Sequence, residues 1–113
     1  MKREDLKELQ RLLKQYKKAK KSFWDIVNQY KTTDEKLRAV NQERIDLISQ
    51  MRPLLYTLTE ETASLPDPVM RSAVVAWYRG VRLRHIAEPI NRTEDQVKEL
   101  IEEAERMLIS DDE

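Results

Sequence analysis

The chain has no cysteine, which excludes disulfides and thiolate metal ligands and is compatible with a reducing compartment. Its one histidine, His85, cannot form a histidine metal cluster, and with no evident partner it reads as a surface or packing residue. A single glycine and four prolines leave little of the punctuation that loop-rich chains need. No apolar run approaches the length of a membrane span and no signal-peptide core is visible, so a soluble cytoplasmic protein without a membrane partner is expected. Phosphate-binding glycine loops, nucleophile–base pairings and metal-ligand spacings are also missing, so neither an enzyme nor a cofactor is expected.

What remains is rich in Lys, Glu, Leu and Arg, the composition of an all-α chain. The 21 basic and 21 acidic side chains cancel in total but not in place. Residues 1–31 carry net +6, residues 32–64 net −2, residues 65–92 net +3 and residues 93–113 net −7. A basic front and an acidic tail result, rather than the uniformly basic surface usual in a DNA-binding protein.

In the front half, Leu6, Leu9, Leu13, Tyr16, Lys20, Phe23, Val27 and Tyr30 recur at alternating spacings of three and four. Leu12, Ala19 and Ile26 widen the stripe. Thr32 with Glu35 fits a capping box, while Thr33 or Asp34 is an alternative cap for a second helix. That helix carries Leu37, Val40, Arg44, Leu47, Met51, Leu54 and Leu58 at heptad spacing. Pro53 should kink or break it near Arg52, leaving a further helical piece to about Thr62. The short connection makes the two helices an antiparallel, coiled-coil-like hairpin over residues 1–63. A lone hairpin buries little, so homodimerisation is expected through Leu6, Leu9, Leu13, Tyr16, Phe23, Val27 and Tyr30; an intrachain bundle is the other reading. Lys17, Lys18, Lys20 and Lys21 read as a solvated face, or as contacts to a phosphate backbone.

Residues 64–113 read as a second unit of three helices. Asp67 and Pro68 suit the N-cap and first position of a helix that ends at Gly80, with Val69, Ala73, Val74, Trp77 and Tyr78 inward. A short helix over Leu83 to Glu88 is stopped by Pro89, and Asn91 suits a left-handed turn. Thr93 and Gln96 form a capping box for the last helix, whose apolar stripe is Val97, Leu100, Ile101, Ala104 and Leu108. The unit has the layout of a helix-turn-helix.

Tyr78, Gly80, Ile86, Ala87, Ile90, Asn91, Thr93, Val97, Ile101, Ala104 and Leu108 together resemble the helix-turn-helix of sigma factor region four. The same unit is found in small phage-encoded regulators, the ArpU-like late regulators among them. The likeness covers about residues 66–109. It implies a DNA-binding transcription regulator with double-stranded DNA as partner, which the front half would bring to the duplex as a homodimer; RNA polymerase is a further candidate partner, reached through the acidic last helix. It also implies that Arg92, Thr93, Glu94, Gln96, Lys98 and Glu99 face bases and phosphates, and that Arg82 and Arg84 lie against the DNA backbone. The sequence departs from the family in Arg82 at a usual Ser/Thr cap, Arg92 at a usual apolar turn position, and an acidic reading helix. Glu94 and Asp95 suit a helix N-terminus, but Glu99, Glu102, Glu103 and Glu105 have no such reason to be there. A protein-interaction module that docks through this acidic helix is therefore the alternative.

Overall fold

The computed structural model describes residues 1–29 and 33–109 of the chain. Five helices account for most of them, in the order α1 (Arg3–Gln29), α2 (Asp34–Thr62), α3 (Pro68–Tyr78), α4 (Leu83–Ala87) and α5 (Glu94–Leu108). No strand occurs among the described residues, so the all-α reading holds.

Helix α1 starts with Glu4 and Asp5 in its first turn, where negative charge meets the positive end of the helix dipole. It packs along α2, and the two run antiparallel. Met1 lies 3.6 Å from Glu61 at one end, and the Arg44 guanidinium sits 4.2 Å from the Phe23 ring centre toward the other. Thr33, not Asp34, caps α2, its hydroxyl accepting from the Lys36 N–H at 3.2 Å. The competing Thr32 lies outside the described residues.

The expected break at Pro53 does not occur: α2 is one helix from Asp34 to Thr62 with Pro53 inside it. A proline in mid-helix removes one hydrogen bond and crowds the preceding turn, at a cost of about 3 kcal/mol. Leu47 and Met51 are buried before it and Leu58 and Thr62 after it. Burial of several large side chains, at about 1.5–3 kcal/mol each, outweighs the lost bond.

The rear helices follow their caps closely. Asp67 accepts from the Val69 N–H at 2.9 Å and Pro68 opens α3. At its end, Gly80 takes φ 91°, its N–H donates to the Trp77 carbonyl at 3.0 Å, and the Val81 N–H reaches the Ala76 carbonyl at 3.1 Å. This paired closure needs a residue without a side chain at Gly80. Asn91, with φ 55°, makes the corresponding left-handed turn between α4 and α5. Thr93 and Gln96 close both halves of a capping box at the start of α5.

One buried core runs through both segments: Leu6, Leu9, Leu12 and Leu13 of α1 belong to the same cluster as Tyr78 of α3 and Val97, Ile101 and Leu108 of α5. Residues 1–63 and 64–109 thus share a core. This moves Leu6, Leu9 and Leu13 from the expected interchain seam to the inside of the chain, where each keeps less than a twentieth of its surface exposed. The physical reason is proximity: α3 approaches the same end of the α1–α2 pair and completes the burial that a second copy would otherwise supply. Tyr16 packs against Gly80, with its ring edge 3.1 Å from where a Cβ would stand there. Phe23 and Val27 are half-buried, and Tyr30 lies outside the described residues.

Candidate nucleic-acid interface

The α4–α5 unit is positioned by its inward stripe. Ile86 and Ala87 of α4 and Val97, Leu100, Ile101, Ala104 and Leu108 of α5 are all buried. Their period leaves Asp95, Glu99, Glu102 and Arg106 along the outermost ridge of α5, and all four are exposed. The residues expected to face DNA divide by what their side chains are already doing.

Thr93 and Gln96 are exposed but committed to the cap: the Thr93 hydroxyl accepts from the Gln96 N–H at 3.1 Å and the Gln96 carbonyl oxygen accepts from the Thr93 N–H at 2.9 Å. The Gln96 amide nitrogen is the part left for a partner. Arg84 donates from Nε to Glu88 one turn on, at 3.1 Å, so its charge is locally matched. Arg82 opens α4 without a side-chain cap, is exposed and has no ion pair among the described residues. Arg92 and Lys98 are likewise exposed and, among the described residues, without an ion pair. Leu83, next to Arg82, lines one small cavity with Lys98 and Trp77. On the opposite flank of α5, Arg92 and Gln96 line a polar hollow of about 500 Å³ with Asn91, Glu99 and Glu103. Glu94 and Glu99 are exposed as expected. Three unpaired cations thus flank a helix whose ridge is negative.

Glu105 departs from its acidic neighbours. It is half-buried and accepts from the Tyr78 hydroxyl at 2.9 Å and from the Gln10 amide at 3.2 Å, while Gln10 also donates to Tyr78 Oη at 3.1 Å. This triangle ties α1, α3 and α5 together. Burial pushes the Glu105 carboxyl above its ordinary value, the Tyr78 hydrogen bond opposes that, and Glu102 adds to it. Tyr78 is pushed upward too, chiefly by burial. The arrangement keeps the phenol a donor and gives Glu105 a structural task. Sequence reasoning grouped Glu105 with the ridge. Its position at the edge of the apolar stripe, next to Ile101 and Leu108 on the helical wheel, was the available signal.

The lysine run also divides. Lys17 lies half-buried with its Nζ 3.2 Å from the Trp77 ring centre, and burial lowers its pKa, with Lys20 adding a smaller push. Lys18, Lys20 and Lys21 are exposed. His85 is exposed on α4. Among the described residues no group of histidine and carboxylate side chains is placed to hold a metal ion, and no helix is long and apolar enough to cross a membrane. Comparison with known families, curated proteins and solved structures gives no match.

Proposed function

We propose that the chain is a DNA-binding transcription regulator of the kind carried by phages and mobile elements, in which an α1–α2 hairpin supports a helix-turn-helix made of α4 and α5. The observation that carries this reading is the set of three exposed, unpaired cations, Arg82, Arg92 and Lys98, around a capped and outward-facing α5 N-terminus. A duplex met by the N-terminal turns of α5 would receive Arg92 and Lys98 at phosphate or guanine edges and Arg82 on the adjoining backbone. The ridge acids Glu99 and Glu102 oppose close approach farther along the helix, so contact is confined to that end. Three cationic contacts per chain, each close to a phosphate even where a base edge is reached, give weak binding with a shallow salt dependence, a slope of about −3 in log affinity against log salt. Leu6, Leu9 and Leu13 being internal, a dimer is not required to complete the fold.

Anisotropy titration of labelled duplexes at low salt tests the reading. Arg92→Ala should weaken binding by roughly 1–3 kcal/mol if Arg92 touches a base edge, and by a uniform smaller amount across sequences if it touches phosphate. No binding at tens of micromolar chain, under conditions where the helices are intact, removes it.

The exposed carboxylates Glu94, Asp95, Glu99, Glu102 and Glu103 favour a second reading, docking of the ridge on a basic protein surface such as one on RNA polymerase. Under that reading the Glu99→Gln, Glu102→Gln pair abolishes polymerase capture. Under the first it strengthens DNA binding.

A further inference from the structure

On a different face, between α2 and α3, lie two adjoining grooves of about 310 and 470 Å³ that share Arg79 as a common wall. The first is floored by Ile48, Leu55 and Tyr56, the second by Val75, Ala76 and Val81. Three of these are among the large apolar side chains the fold leaves most exposed: Ile48 at 37%, Tyr56 at 66% and Val81 at 36%. Isolated apolar side chains at a surface mean little, but neighbouring ones on α2, α3 and the turn after α3 mean more. The rim is one-signed. Arg52, Arg71 and Arg79 line the grooves, and among the described residues no carboxylate does and none of the three arginines has an ion pair. Beside them, Glu60 bonds the outer Tyr56 hydroxyl.

We propose that this surface docks an acidic amphipathic segment of a partner protein, its apolar anchors on Ile48, Tyr56 and Val81 and its carboxylates on Arg52, Arg71 and Arg79. Arginine and tyrosine around an apolar floor are the side chains that dominate binding at protein interfaces, and planar guanidinium groups pair carboxylates two bonds at a time. A duplex fits less well, since phosphates would satisfy the arginines and leave the apolar floor in water. A second copy also fits less well. Among the described residues, the large exposed apolar side chains outside the groove are Met107 on acidic α5, Ile45 on α2 and Trp24 on α1, one to a helix, and Trp24 comes with Lys20 and Lys21, which arginines repel. A foreign segment that carries both apolar anchors and acids meets each requirement.

Two labelled synthetic helical peptides test this, both with leucines at helical i, i+3, i+4 and i+7 positions, one flanked by glutamates and the other by lysines. The intact chain should bind the glutamate peptide at least about tenfold more tightly than its sibling, as read by anisotropy. Tyr56→Ala should weaken that binding by on the order of tenfold. The Arg52→Glu, Arg79→Glu pair should invert the preference so that the lysine peptide binds better, which at once shows the variant to be folded. Equal binding of both peptides, or a preference unchanged by the reversal, overturns the proposal. So does sedimentation in which the wild-type chain dimerises and the reversed chain does not, which assigns the groove to a second copy. Loss of duplex binding on the same reversal, with no peptide preference beforehand, assigns it to nucleic acid instead.

Discussion

The two ends of the α1–α2 pair carry the same heptad spacing and end up in different environments. At the end beside α3 and α5, Leu6, Leu9, Leu12, Leu13, Ala19, Leu47, Met51 and Leu58 are buried. At the far end, Phe23, Ile26, Val27, Leu37 and Val40 are only half-covered, and Arg44 sits over Phe23 with its Nε buried and, among the described residues, without a hydrogen-bond partner. The chain measures 49 × 33 × 17 Å, so this far end projects from the shared core rather than closing around it. The difference teaches that a heptad pattern specifies a helix needing company, while the arrangement of the other helices decides how much company it gets. A third layer is what turns the near end into core.

The sharpest way to break that comparison is to remove one apolar side chain from each end. Leu9→Ala should destabilise the chain by about 2–5 kcal/mol, because Leu9 is fully buried against both halves. Val27→Ala at the far end should cost only about 1 kcal/mol, in proportion to its partial burial. Denaturant unfolding measures both, and equal costs would mean that the two ends are equally packed. Amide exchange should report the same gradient, with residues 20–28 opening locally well before residues 6–19.

The join between α1 and the rear helices gives the next effect. Gly80→Ala places a side chain at φ 91° and crowds Tyr16, so a loss of about 1–2 kcal/mol from backbone strain is expected in the same measurement. A neutral result would show that Tyr16 and the α3 terminus can move apart freely, against the shared core. The smallest effect concerns pH. Because the folded chain holds the Glu105 proton more tightly than the unfolded one, Glu105 favours folding below its ordinary value of 4.5. That contribution is lost as pH rises through the raised folded value. Glu105→Gln should therefore flatten the fall in melting temperature over that window. An unchanged profile would assign the pH dependence to other carboxylates.

The rear half was legible in the sequence because its signals are local. Asp67 with Pro68, Gly80, Asn91 and the Thr93–Gln96 box each set their own backbone geometry within four residues, and each stands where expected. Contacts distant in sequence were not legible. Heptad spacing could not tell whether Leu6, Leu9 and Leu13 would meet a second chain or Tyr78 and Ile101 of their own. The continuity of α2 through Pro53 was not legible, because the local penalty is visible in one residue, whereas the burial that offsets it comes from Leu47, Met51 and Leu58 together. Of the candidate site, the exposure of Lys98 followed from the α5 stripe, and that of Arg82 and Arg92 from their places in the turns before α4 and α5. The use of the Gln96 side chain in the cap was also readable, but the Gln10–Tyr78–Glu105 triangle and the arginine-rimmed groove needed the packing of α1 and α2.

The functional account stands on Arg82, Arg92 and Lys98 meeting phosphates while Glu99 and Glu102 resist them. Its most direct test is the salt dependence of duplex binding for the wild-type chain, for Arg92→Ala and for the Glu99→Gln, Glu102→Gln pair. The account predicts a slope of about −3 for the wild type, a slope shallower by about one for Arg92→Ala, and tighter binding for the double variant. A slope indifferent to Arg92, or a double variant that binds DNA no better than the wild type, would contradict it.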